Sequence, residues 1–225
     1  MEERVDLVWP AQEVTLETPV DGRTARWERH RVERRRELVA ATLRAIRRHG
    51  AGVGMDEIAA AAGTSKTVIY RHFGDRTGLY TAVVEWVHDY ILTNLEVPLR
   101  QAKTEPARLV AELTDTYLGL VQRDPEIYRF VVSRPLADVP VADPVGSFTT
   151  RLGDRVAEAM AEHLVRSGQD PQASLTWGHG VVGFVWAVAD KWLSTGMVRP
   201  RPEIVAYVDA LFTPAFSTAG APHQP

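Results

Sequence analysis

The chain has 225 residues, 45% of them hydrophobic and 24% charged, with a formal net charge of −3 and no cysteine. That is enough apolar material for one large domain or for a small head on a larger body. Disulfides, thiolate metal sites and cysteine nucleophiles are excluded outright, and so weakly acidic a total argues, taken whole, against a nucleic-acid binder.

The total conceals a division. Residues 1–22 carry six acidic side chains and one basic, whereas residues 23–80 carry thirteen Lys and Arg against six Asp and Glu. Residues 81–225 carry twelve against seventeen, so the three regions have net charges of −5, +7 and −5. A basic, DNA-seeking head on an acidic body is the simplest account.

Residues 1–25 mix Pro10, Pro19 and Gly22 with scattered acids and read as a flexible N-terminal arm. No basic segment followed by an apolar run is present there, so no secretory signal is expected. A helix is predicted over residues 26–49, where Val39, Leu43 and Ile46 recur at helical spacing among arginines. Arg26 and Arg29 are candidates for an extra arm in a DNA minor groove, against the plainer reading of a solvated face. Gly50 and Gly52 break this helix, and Gly54 is placed to cap the next, with Glu57 at the capping-box position.

Residues 55–76, MDEIAAAAGTSKTVIYRHFGDR, read as two short helices joined by a tight turn. Gly63 can take the left-handed conformation that ends the first, and Thr64 and Ser65 offer hydroxyls to cap the second. The second directs Lys66, Thr67, Tyr70, Arg71 and His72 outward, donors suited to phosphates and base edges. Val68, Ile69 and Phe73 supply its apolar contacts. Gly74 closes it, and Asp75 caps a long helix from Arg76 to about Gln101, which Pro98 is expected to kink or end early.

Pro106 opens a further helix, with Leu109, Leu113, Tyr117 and Leu120 in register, that ends before Pro125. A short segment, Glu126 to Val132, precedes a loop from Ser133 to Pro144 rich in proline. Helical patterns resume over residues 145–167, 171–195 and 202–216, and residues 217–225 read as a disordered tail. No strand alternation or internal repeat is visible. The fold class is therefore all-α, with a three-helix head over residues 26–80 and a larger helical domain over residues 81–216.

The segment from Arg34 to Ala82 resembles the TetR family of one-component transcriptional regulators. The matching elements are the basic first helix, Met55-Asp56-Glu57-Ile58-Ala59, Ala62-Gly63, Ser65-Lys66, Tyr70-Arg71-His72-Phe73-Gly74, Arg76 and Leu79-Tyr80. The resemblance implies a homodimeric regulator with a helix-turn-helix head, operator DNA as partner and a small apolar effector in the larger domain. It places Ser65, Lys66 and Thr67 at the start of the helix that enters the major groove. Tyr70 and Arg76 would contact phosphates, and Arg71 and His72 would reach phosphate or base edges. Three departures stand out: Val53-Gly54 in place of a Thr/Ser-rich lead into the second helix, Thr64 where Val is usual, and Thr67-Val68 where Gly-Thr is common.

Beyond the head the chain offers only composition. The aromatics Trp86, Tyr90, Tyr117, Tyr128, Phe148, Trp177 and Phe184 are candidate walls of an effector pocket, against ordinary core packing for each one singly. Gly178 to Gly183 fits GxGxxG, but no strand precedes it, so a dinucleotide site is not expected. Thr176, Gly180, Gly183, Ala187 and Ser194 instead fall near one helical stripe of small residues. The bulkier stripe of Trp177, Val181, Phe184 and Val188 runs beside it. The small stripe suits a close helix approach, and the resemblance implies a dimer interface there, at Gly180, Gly183 and Ala187.

His163, His179 and His223 lack metal-ligand spacing, no nucleophile–base–acid set stands out, and no cofactor is expected. Val181 to Ala189, the longest apolar stretch, is too short to span a bilayer, so a cytoplasmic protein without a membrane partner is expected. Two rival readings remain at this stage. One is a small-molecule-binding helical protein without regulatory DNA binding, and the other is a helical enzyme. Neither accounts for the basic head.

Overall fold

A computed structural model describes residues 22–101, 106–132, 144–166 and 168–218, and these contain nine α-helices and no strand. In chain order they are α1 (Gly22–His49), α2 (Met55–Ala61), α3 (Lys66–Phe73), α4 (Arg76–Gln101), α5 (Pro106–Arg123), α6 (Pro125–Val132), α7 (Pro144–Arg166), α8 (Ala173–Ser194) and α9 (Arg201–Thr218). No described helix is long and apolar enough to cross a membrane. The predicted loop at residues 133–143 and most of the predicted arm and tail lie outside the described residues.

Three boundaries differ from the sequence expectation. Helix α1 begins at Gly22, so Arg26 and Arg29 sit on its exposed face rather than on an extended arm. The α-helix itself is too wide for a minor groove about 6 Å across, so an extended-arm conformation is not what this segment shows. Helix α4 continues through Pro98 to Gln101. Pro98 is buried, so packing outweighs the one backbone bond that a proline forfeits. Ser217 and Thr218 belong to α9 rather than to a disordered tail.

The local signals otherwise act as their chemistry requires. Gly63 has φ +59°, and the turn after α2 closes with Thr64 N–H donating to the Ala59 carbonyl at 3.0 Å and Gly63 N–H to that of Ala60 at 3.1 Å. This paired arrangement satisfies two carbonyls that the helix end would otherwise leave open. Ser65 caps α3 by accepting from Val68 N–H at 3.4 Å, and Asp75 caps α4 by accepting from Gly78 N–H at 2.8 Å. Gly54 caps α2 without a side chain, and the Glu57 carboxylate folds back over it.

Two cores result. Leu38, Leu43 and Ile46 of α1 close on Ile58, Ile69 and Phe73 to form the head, which continues into Leu79, Tyr80, Val83 and Val84 of α4. Each fully buried aliphatic side chain here contributes about 1.5–3 kcal/mol. The body packs α4, α5, α7, α8 and α9 around Leu95, Leu109, Val156, Met160 and Val181. Helix α7 lies along α8, and Gly178 makes that crossing close. A Cβ there would come within 2.6 Å of the Ala157 nitrogen and 2.7 Å of the Gly153 carbonyl. The glycine of the GxGxxG run is thus a helix-crossing residue.

Helix α6 joins the two cores. Ile127, Phe130 and Val131 pack into the head, and Tyr128 packs with Leu118, Val121 and Trp192 in the body. Polar contacts fix the joint. The Tyr80 hydroxyl donates to the Val131 carbonyl at 2.8 Å, and Ala51 N–H donates to the Glu126 carboxylate at 3.0 Å. Arg47 of α1 grips Asp124 with two bonds, at 2.6 and 3.2 Å.

Candidate nucleic-acid interface and ligand cavity

Helix α3 is held by its buried face and offers the other to solvent. Ile69 and Phe73 are buried, whereas Ser65, Lys66, Thr67, Arg71 and Arg76 are exposed, and Tyr70 and His72 are half-buried. Six of them belong to α3 and its cap, and Arg76 opens α4 two residues beyond Gly74, so the fold brings them onto one region of the head. Arg35, from α1, donates to the His72 carbonyl and lays its guanidinium 4.4 Å from the centre of the Phe73 ring. A cation at a helix C-terminus is favourable, so this contact also pins the end of α3.

The charge of the surface is visible in His72. Burial first, and then Arg71, Arg34, Arg35 and Arg31, hold its imidazole below the usual histidine range. The part of this effect that comes from the four arginines, as distinct from burial, marks a local excess of positive charge suited to phosphate. Lys66 stands apart from this cluster. Its ammonium pairs with Asp56 of α2 at 2.9 Å, and that hydrogen bond and charge raise its pKa.

The body contains an apolar cavity of about 60 Å³ between α4, α5, α6, α7 and α8. Of the aromatics singled out in the sequence, Tyr117, Tyr128 and Phe148 line it. Trp86 and Tyr90 stack on each other at 5.3 Å beside a second hollow. Trp177 and Phe184 pack against the body core instead, Phe184 edge-on to Phe212 of α9.

The cavity also has walls that the sequence reading passed over. His88 is buried and stacked on Phe148 at 4.0 Å. Burial, with Arg151 nearby, pushes its pKa down to about 4, so it is neutral at physiological pH. Trp186, partly exposed, completes the wall on α8. A signal for His88 was available, because it continues the Val84, Ile91, Leu95 stripe of α4 at core spacing.

The Tyr128 hydroxyl is buried without a hydrogen-bond partner. It faces that of Tyr117 closely enough for each to affect the other's ionisation, but not in a geometry that closes a sound bond. Burial raises the pKa of both phenols. Gly180, Gly183 and Ala187 all lie on the exposed face of α8, where a Cβ on either glycine would meet open space. Among the described residues, no group of three or more His, Cys, Asp and Glu is placed to hold a metal.

Comparison with known proteins decides what this arrangement belongs to. The model for bacterial regulatory proteins of the tetR family matches residues 38–83, and that for the tetracyclin repressor-like C-terminal domain matches residues 95–222. The chain belongs to the TetR family. It is a DNA-binding transcriptional regulator, not an enzyme.

An uncharacterised HTH-type transcriptional regulator of Mycobacterium tuberculosis is 38% identical over 199 residues, covering 88% of this chain and 82% of the relative. The HTH-type transcriptional activator FasR of Mycolicibacterium smegmatis is 30% identical over 166 residues, covering 73% of this chain and 74% of FasR. In fold, the TetR chain is similar to the regulator FadR of Bacillus subtilis in complex with stearoyl-CoA. The TM-score is 0.59 at 12% identity, over 78% of this chain and 95% of FadR.

Proposed function

We propose that the chain acts in the cytoplasm as a homodimeric repressor that leaves its operator when a small apolar ligand enters the body. The observation that carries this reading is α6. Val131 and Tyr128 line the body cavity, and Ile127, Phe130 and Val131 close the core of the head. A ligand that displaces the cavity wall therefore displaces a wall of the head as well. Ligand binding shifts the equilibrium only by its differential affinity for two such arrangements.

Each subunit would set α3 in a major groove. Ser65, Lys66 and Thr67 would meet base edges, while Tyr70, Arg71, His72 and Arg76 would meet phosphates or outer base edges. Half-sites would be centred about 34–36 Å apart or a multiple of that distance. The dimer face would be α8 with α9. There the small residues Gly180, Gly183 and Ala187 lie open, and Leu175, Tyr207 and Leu211 remain more than half exposed, an apolar surface that a partner subunit would cover. FasR carries the word activator in its name, which favours activation as a second reading.

Duplexes selected from random DNA, titrated across salt concentrations, test the proposal together with sedimentation of the free protein. A pseudo-palindromic site and a dimer are expected, and a monomer at micromolar concentration sinks the symmetric reading. A reporter with the selected site overlapping its promoter separates the two signs, since repression requires lower output when the regulator is present.

A further inference from the structure

The second hollow, of about 50 Å³, lies between α4, the α5–α6 turn and α1. Val87, Ile91, Tyr117 and Tyr128 line both it and the inner cavity, so one layer of side chains divides them. The chemistry on the two sides differs. The inner side is apolar and holds a neutral His88. The outer side has the stacked Trp86 and Tyr90, with Arg47, Arg123 and Asp124 among its lining residues.

Two guanidinium groups share a single carboxylate there. Asp124 accepts from Arg47 at 2.6 and 3.2 Å and lies 3.5 Å from Arg123. Arg123 also donates to the Tyr90 hydroxyl and covers its ring at 5.2 Å. This lining thus retains one net positive charge beside an aromatic wall. The dividing layer contains the unpartnered Tyr128 hydroxyl, a buried polar atom whose missing bond a ligand atom can supply. Asp190 acts on both tyrosine hydroxyls, which disfavours an anion at the divide and assigns it to the arginine side.

We infer that the two hollows form one bipartite site for an amphiphile, with its apolar chain in the inner cavity and an anionic head group between Arg47 and Arg123. The Tyr128 hydroxyl bonds a polar atom of the ligand where it crosses the divide. Neither hollow is large, so a molecule that spans both buries more of its chain than one confined to either. This assignment rests on the inner cavity being the effector site. The head group competes with Asp124 for Arg47, a side chain of the head itself.

Calorimetric titration of the full chain with decanoate and with decan-1-ol tests the site. Both ligands have ten-carbon chains and only one carries charge. Decanoate is expected to bind about tenfold more tightly or better, as charge-assisted bonds to arginine require. Arg123→Gln should abolish that preference while leaving decanol affinity within about twofold. Asp124→Asn should tighten decanoate by removing the competing carboxylate, and Tyr128→Phe should weaken both ligands.

Equal binding of the two ligands, a preference that survives Arg123→Gln, or no binding of either overturns the bipartite site. Operator binding measured on the same samples keeps the two ideas apart. Operator binding without ligand binding removes the site and leaves the regulator intact. A decanoate preference that depends on Arg123, without release from the operator, retains the site and removes the release mechanism.

Discussion

The head and the body of this regulator are built by the same packing rules but store their information differently. In the head, groups that act together are neighbours in the chain: Gly63 turns, Ser65 caps, and the next eight residues form the exposed helix. In the body, the cavity draws its walls from five separate helices, so Tyr117, Tyr128 and Phe148 meet across long stretches of sequence. A surface that reads DNA can be specified locally, whereas a space that holds a ligand exists only after the helices have packed.

The largest expected effect asks whether the two regions are energetically separable. Phe73→Ala removes a buried ring that also carries Arg35, and should destabilise the head by about 3–5 kcal/mol. Hydrogen exchange should show the loss in α1 to α3. Equal loss of protection in α7 and α8 would make head and body one cooperative unit and break the distinction.

Within the body, the glycines of α8 sharpen it. Gly178→Ala meets backbone atoms of α7 and should destabilise by the upper part of about 1–3 kcal/mol in urea unfolding. Gly183→Ala meets nothing within its own subunit and, measured at concentrations where the subunits are dissociated, should leave the unfolding midpoint unchanged or raised. Matching losses at the two positions would show that the α7–α8 crossing is not where closeness matters.

His88 is expected to contribute an acid response to the body. Its folded pKa is about 4 against an ordinary 6.5, so the unfolded chain binds the proton first. Stability should be fully present above about pH 6.5 and fall by about 2 kcal/mol by pH 5, levelling off below pH 4. His88→Phe should flatten that slope, and an unaltered slope would assign the acid response to other groups.

Arg76→Ala makes the smallest change, which is confined to the head. The log–log salt slope of operator binding should shrink by about one unit, with little change in sequence preference. An unchanged slope would remove Arg76 from the phosphate contacts.

The all-α class and most helix boundaries were legible because capping and breaking are local acts: Gly63, Ser65, Gly74 and Asp75 each work through the adjoining turn. The early start of α1 was hidden because Gly22 and the arginines after it lack an apolar stripe. The passage of α4 through Pro98 was hidden because burial against other helices decided it. Aromatics were poor guides to the cavity. A ring at helical spacing packs equally well against a core or around a space, as Phe184 and Phe148 illustrate. His88 carried more information than any of them, since a buried histidine in an apolar stripe needs an explanation that a phenylalanine does not.

Helix α6 has only eight residues, yet it serves as a wall for two rooms at once. Anyone redesigning this protein as a biosensor inherits that constraint. A substitution at Val131 made to admit a new ligand also repacks the DNA-reading end, so altered recognition and altered resting output would arrive together. Positions on α7 and α8, such as Leu152 and Val185, touch the cavity without belonging to the head's core. They offer a way to change what the sensor detects while leaving its baseline alone.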